Sequence, residues 1–189
     1  MANLRLLDLF CGAGGAAMGY SRAGFTDIVG VDIKPQPHYP FAFVQADAMT
    51  FPLDGFDAIH ASPPCQAYSE AGKQWRAAGK EYPDLIAQIR DALVALGKPW
   101  VIENVPGAPL RNPTCLNGPL FGLRVRRTRW FETSFLMPLI LRPREERSNC
   151  RMGRPVKEGE VITPVGHFSN VPYARKAMGI DWMNQKELS

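Results

Sequence analysis

The sequence predicts an α/β fold, a mostly parallel doubly wound sheet, and three observations carry that prediction. Arg5-Leu6-Leu7-Asp8-Leu9-Phe10 is an apolar run that passes at once into Cys11-Gly12-Ala13-Gly14-Gly15 and then into a stretch of helical composition. Strand, glycine loop and helix form the opening unit of such sheets, with a ligand at the carboxyl ends of the strands. Further short apolar runs end on chemistry-bearing residues: Asp32, Asp47, Cys65 and Glu103-Asn104. Between the last two lies a segment with apolar residues at 85, 86, 89, 93 and 96, which is helical spacing.

Taken in order, Ala16 to Ala23 predicts the first helix, stopped by Gly24. The loop before it departs from G-x-G-x-x-G, so the dinucleotide fingerprint is absent. Its glycines are expected to let the backbone approach a ligand. Asp27-Ile28-Val29-Gly30-Val31-Asp32 predicts a second, fully buried strand. A carboxylate ending that strand typically accepts hydrogen bonds from ribose hydroxyls; the other reading is a turn acid or helix N-cap ahead of Pro35. Pro35, Pro37 and Pro40 exclude a regular helix over 34–41. Phe43-Val44-Gln45-Ala46 predicts a third strand ending at Asp47, and Asp57 to Ala61 a fourth. Residues 66–83 are polar and carry Gly72 and Gly79, which predicts a mobile flap able to close over a substrate. A helix is predicted over 84–96, with Asp84 as cap and Gly97 as stop. Pro99-Trp100-Val101-Ile102 predicts a buried strand that ends on Glu103-Asn104-Val105-Pro106-Gly107. Leu123 to Phe135 fits one or two late strands, 142–160 an exposed loop, and Tyr173 to Met178 a short helix.

A chain of 189 residues suits one well-buried core, so a single domain over 1–189 is expected. No apolar run approaches the roughly 20 residues that span a bilayer, and Met1 to Arg5 lacks the charged and apolar regions of a signal peptide. A cytoplasmic enzyme or binding module is expected. The four cysteines, at 11, 65, 115 and 150, are too far apart for a paired zinc motif, so reduced thiols and no metal are expected. Net charge is +4, and it is unevenly placed: Arg124 to Arg154 holds nine arginines, three glutamates and no lysine. Arginine without lysine favours forked contacts to phosphate or bases over a plain solvated face.

Ser62-Pro63-Pro64-Cys65-Gln66 organises the rest. Two consecutive prolines deny the backbone a helix or a central strand and hold their predecessors extended. A cysteine directly after them is held in one direction, which suits a nucleophile; taken alone, a Pro-rich turn ending in a small hydrophobe is the plainer reading. In a parallel sheet, however, this loop, the glycine loop, Asp32, Asp47 and Glu103 all face one crevice. That convergence favours chemistry.

Asp8-Leu9-Phe10-Cys11-Gly12-Ala13-Gly14-Gly15, Pro63-Pro64-Cys65-Gln66, Glu103-Asn104-Val105 and Arg127-Thr128-Arg129 resemble, in order and spacing, the signature motifs of the DNA cytosine-5 methyltransferase family. More loosely, Gly166-His167-Phe168-Ser169-Asn170 and Met178-Gly179-Ile180-Asp181-Trp182-Met183 are similar to the tails of short phage and prophage members, and restriction-modification is the setting the resemblance implies. The resemblance implies a Rossmann-like class I S-adenosylmethionine-dependent methyltransferase with a very reduced target-recognition region over about 136–165. It implies Cys65 as the nucleophile on C6 of cytosine and Glu103, kept as the protonated acid by burial, as donor to N3. Asn104 would orient the loop, and Arg127 and Arg129 would hold the base O2 and nearby phosphate. For S-adenosylmethionine it implies Asp8, Phe10, Gly12, Ala13, Gly14 and Gly15 around the methionine moiety, Asp32 with Ile33 at the ribose, Asp47 with Ala48 at the adenine, and Pro63. Double-stranded DNA is the implied partner, its target cytosine flipped out. RNA, as in the tRNA-methylating branch, and a weakly active or non-catalytic nucleic-acid-binding relic are the alternatives. The sequence ends at Leu188-Ser189, ahead of the family's final motif, so the cofactor pocket is expected to be completed differently or activity to be weak.

Overall fold

The structure is a computed structural model that describes residues 4–138, 157, 160–163 and 171–183. The arginines from 142 to 154, most of the 136–165 insert, Gly166 to Asn170 and the Leu188-Ser189 end lie outside the described residues. Whereas the sequence predicts one domain, the chain divides into two compact units: residues 1–114 with 130–137, and residues 115–129 with 138–189.

The first unit opens with β1 (Arg5–Leu9), α1 (Gly15–Arg22) and β2 (Asp27–Asp32), then β3 (Ala42–Gln45) and β4 (Ala58–Ala61). α2 (Lys73–Ala77), α3 (Ile86–Leu96) and β5 (Trp100–Asn104) follow; β6 (Thr114–Leu116) straddles the boundary, and β7 (Arg129–Thr133) returns the chain to this unit. The part of the sheet in this unit runs β3-β2-β1-β4-β5-β7. β1 to β5 are parallel, and β7 is antiparallel to β5. The carboxyl ends of β1, β2, β4 and β5 therefore share one edge, as the doubly wound prediction requires.

Alternation along the strands separates two faces. Leu7 and Leu9 pack with Ile59, Ile102 and, from α3, Ile89 and Leu93. Burying each such side chain contributes on the order of 1.5–3 kcal/mol. Leu6 packs on the other face with Ala17 of α1, Ile28, Cys11 and Tyr39. α3 ends at Gly97, whose φ of 69° is the left-handed cap expected there. Its start differs by a residue or two: Leu85 occupies the cap position, and Asp84 Oδ1 accepts the Ile86 amide proton at 3.3 Å. On the α3 face a buried guanidinium, Arg90, meets Glu132 of β7 through two bonds of 2.6 and 2.8 Å. Nothing in the local pattern announces this pair, because its partners lie 42 residues apart.

Two spans differ from expectation. β5 continues through Glu103 and Asn104, since Glu103 and Asn104 pair in register with Phe131 and Trp130 of β7. The expected flap contains structure: a 3-10 turn over Glu70–Gly72 runs into α2, Ser69 Oγ accepts the Gly72 amide proton, and the Arg76 guanidinium donates to the Gln66 and Ser69 carbonyls at 2.6 and 2.9 Å.

In the second unit, Val125 and Ile162 form a parallel bridge, and both bury against Ala174 of α4 (Val171–Met178). Gly118 is required there because an added Cβ would lie 2.0 Å from the Val125 carbonyl oxygen. Arg124 donates to the Lys157 carbonyl at 2.7 Å, and Arg175 to that of Met183 at 2.8 Å.

Candidate active site

The glycine loop begins with backbone strain. Phe10 has φ 56°, a conformation that costs a bulky residue on the order of 1–3 kcal/mol. Gly12, at φ 48°, and Gly14, at φ 87°, complete the turn into α1. The two glycines serve different ends. Space is open at Gly12, with no atom within 4 Å of an added Cβ, as a close-approaching ligand needs. At Gly14 a Cβ would lie 2.6 Å from Pro40 Cδ and 3.0 Å from the Tyr39 ring, so its missing side chain admits the 34–41 segment. Ala13 is buried, and Gly15 opens α1.

Asp32 ends β2 and acts as the turn acid of the second sequence reading. Its Oδ2 accepts the Gly12 amide proton at 3.0 Å, which fixes the glycine loop, and its Oδ1 accepts that of Lys34 at 2.9 Å, as a turn acid does. Ile33 beside it is an exposed large apolar residue. Asp47 is exposed and turns its Oδ1 to the Met49 amide at 2.9 Å, with Ala48 buried between them.

The Pro-Pro-Cys loop leaves β4 one residue after Ala61, which is paired with Ile102 of β5. Asn104 is fully buried; its Nδ2 donates to the Pro63 carbonyl at 2.9 Å, and its Oδ1 accepts the Val105 amide proton. This bond ties the stiff segment before Cys65 to the strand end bearing Glu103, a chain separation of 41 residues. Cys65 is half-buried, and its carbonyl accepts the Tyr68 and Ser69 amide protons at 3.0 and 2.9 Å. Arg76 sets a guanidinium on the same turn through Gln66. Cys11, by contrast, is buried and its thiol is pushed well up by burial, which removes it as a nucleophile.

Carboxyl burial falls elsewhere than expected. Glu103 is half-buried because β5 turns Trp100, Ile102 and Asn104 inward. Asp8 is the enclosed acid: its pKa is pushed up to about 8, chiefly by burial and to a lesser extent by the charges of Asp32 and Glu103, while the Tyr39 hydroxyl, 3.1 Å from Oδ2, and the Ala17 backbone oppose the shift. Its Oδ1 makes no hydrogen bond among the described residues. The charges of Asp32 and Glu103 thus both reach Asp8. Arg127 and Arg129 are half-buried in the second unit, where Arg129 Nη1 donates to the Thr128 carbonyl at 2.8 Å.

Tyr39, His60 and Ser62 are absent from the sequence-derived site. Tyr39 is hidden among prolines in a segment expected only to be irregular. His60 gave a signal, a polar residue in an otherwise apolar strand. Its Nδ1 lies 3.1 Å from the Tyr20 hydroxyl and its Nε2 2.9 Å from Ser62 Oγ, and burial pushes its pKa down to about 4. Among the described residues, no group of three or more His, Cys, Asp or Glu side chains could hold a metal ion, and no helix is long and apolar enough to cross a membrane.

The comparisons with known proteins bear on this region. A family model described as C-5 cytosine-specific DNA methylase matches residues 4–114. The Type II methyltransferase M1.HphI of Haemophilus parahaemolyticus is 32% identical over 123 residues, which cover 54% of this chain and 32% of that protein. M.HgiGI, a Type II methyltransferase of Herpetosiphon aurantiacus, is 30% identical over 121 residues, covering 57% of this chain and 94% of the relative. A solved structure from Escherichia coli, assigned to a DNA modification methyltransferase encoded within a prophage, matches with a TM-score of 0.52 at 23% identity over 68% of this chain and 45% of that one. That likeness shows the Rossmann-like methyltransferase fold. The matched segment holds the glycine loop, the Pro-Pro-Cys loop and the Glu103-Asn104 strand end together, and the chain belongs to the C-5 cytosine-specific DNA methylase family.

Proposed function

We propose that the chain transfers a methyl group from S-adenosylmethionine to C5 of a cytosine turned out of duplex DNA, through a transient bond between Cys65 Sγ and C6. The Asn104 to Pro63 hydrogen bond supports this reading most, because it fixes the segment ahead of Cys65 against the strand end that carries Glu103. A cytosine ring between them would meet the thiolate at C6 and the carboxyl at N3.

The residues at the edge of β1 and β2 fit the cofactor. Gly12 leaves open space, Asp8 Oδ1 has no hydrogen bond among the described residues, and a carboxylate can accept beyond the two amides that Asp32 already holds. Asp32 would take ribose hydroxyls with Ile33 against the adenosine, Asp47 above Ala48 the adenine amino group, and Phe10, Ala13, Gly14, Gly15 and Pro63 the walls around the methionine moiety. When bound, S-adenosylmethionine supplies the electrophilic methyl group that C5 takes.

The chain's own residues do the rest. The Cys65 thiolate forms the S–C6 bond while the C5–C6 π pair moves into the ring, and Glu103 neutralises the charge arriving at N3 by donating a proton. C5 becomes an enamine carbon and bonds to the methyl group. Loss of the C5 proton to a solvent base and expulsion of the thiolate restore the C5–C6 double bond, and N3 returns its proton to Glu103. A cytosine in a stacked duplex exposes neither face of C6, so the base must leave the helix first.

Incubation with methyl-tritiated S-adenosylmethionine and, in parallel, mixed-sequence duplex DNA or transfer RNA tests the reading. Label in DNA cytosine is expected. Label confined to RNA moves the substrate to RNA; none in either, beside a working control methyltransferase, contradicts the reading.

A further inference from the structure

Behind the Pro-Pro-Cys loop, β4 places a histidine where packing alone would favour an aliphatic side chain. His60 is buried, its ring meets that of Tyr20 edge-on, and it lies between two hydroxyls: that of Tyr20, from α1, at Nδ1 and that of Ser62 at Nε2. A neutral imidazole must accept at one nitrogen and donate at the other, so both contacts are satisfied together as one ordered chain. Ser62 is the last residue before Pro63-Pro64-Cys65 and is held at its backbone too, its amide donating to the Leu9 carbonyl at 3.1 Å. Between Ser62 and Cys65 the backbone runs through two prolines whose φ values are fixed, which leaves few torsions to absorb a change of direction at Ser62 before it reaches Cys65.

We propose that Tyr20, His60 and Ser62 form a positioning strut that sets the direction in which the Pro-Pro-Cys loop leaves β4 and ties that loop to the helix behind the glycine turn. The proposal rests on Cys65 being the nucleophile. It adds that alignment is held from behind by a side-chain chain, as well as from the β5 side by Asn104. An isolated histidine satisfied within a core would hold its strand in place without affecting the thiol. The strut predicts an effect on Cys65 at constant stability.

The test uses the full chain and its Ser62→Ala and Ser62→Thr variants, with two readouts. One is the rate of covalent complex formation with 5-fluorocytosine duplex DNA and S-adenosylmethionine. The other is the alkylation rate of Cys65 by iodoacetamide, followed by peptide mass spectrometry without DNA. Ser62→Ala is expected to slow the complex on the order of 10-fold, the scale of a sub-ångström misalignment, and to change Cys65 alkylation several-fold, while Ser62→Thr restores both. Wild-type rates in Ser62→Ala, or failure of Ser62→Thr to restore them, overturn the strut. If the unmodified chain forms no complex, the nucleophile reading is what fails, and alkylation alone decides the strut. Should Ser62→Ala not fold, Tyr20→Phe, which removes only the far hydroxyl, carries the same expectation.

Discussion

On the α3 face of the sheet, Leu7, Leu9, Ile59, Ile102, Ile89 and Leu93 pack into an apolar layer whose one ion pair, Arg90–Glu132, has its main donors and acceptors engaged. On the α1 face, one residue away along the same strands, lie Asp8, Tyr39, His60 and Tyr20, with an Asp8 oxygen making no hydrogen bond among the described residues and a histidine driven neutral. One side of β1 and β4 is closed and the other retains unspent polar capacity. The difference teaches where stability and chemistry reside. A single strand supplies a residue to each in turn, so the polar face is braced by the apolar layer on the other side of the same strands.

Removing one partner of the closed ion pair should have the largest effect. Glu132→Gln leaves the Arg90 guanidinium buried without its countercharge and should cost about 3–5 kcal/mol in urea unfolding. The Arg90 pKa, raised chiefly by its hydrogen bond to Glu132, should fall with it. Next comes the α1 face. Gly30→Ala sets a Cβ 2.2 Å from Tyr39 Cζ, which forces the ring aside and breaks its bond to Asp8. The loss should be about 1–3 kcal/mol, read in the same unfolding experiment.

The smaller effect depends on pH. Asp8 holds its proton in the folded chain up to about 8 and releases it near 3.8 when unfolded, so stability falls as pH rises across that window and levels off above it. His60 acts oppositely: its folded value near 4 lies below the free value of 6.5, so its contribution is lost as pH falls below 6.5. Of these two groups, Asp8 is the one that contributes a slope between pH 6.5 and 8. Asp8→Asn should flatten it by about 2 kcal/mol in unfolding curves taken at both ends of that interval.

Local periodicity made the frame legible. Asp27 to Asp32 folds as the strand read from its unbroken apolar run, and α3 buries Ile86, Ile89 and Leu93 as its spacing indicates. The positions of Cys65, Glu103 and Asp32 followed from where apolar runs end, because parallel strands bring those ends to one edge. What escaped was set by contacts distant in sequence. Tyr39 reaches Asp8 across 31 residues, and Arg90 reaches Glu132 across 42. The enclosure expected at Glu103 falls on Asp8 because β5 alternates and β1 is covered on both faces. Residues 66–83 read as irregular because a 3-10 turn and a five-residue helix are too short to show a period.

Covalent trapping tests the role of Cys65 most directly. Fluorine at C5 blocks the proton loss that frees the enzyme, so after methyl transfer the sulfur stays attached to C6 and the complex survives denaturing electrophoresis. With 5-fluorocytosine duplex DNA and S-adenosylmethionine, the intact chain should migrate as a DNA-linked species and Cys65→Ser should not. An equal yield of linked species from Cys65→Ser, or none from the intact chain beside a working control methyltransferase, would contradict it.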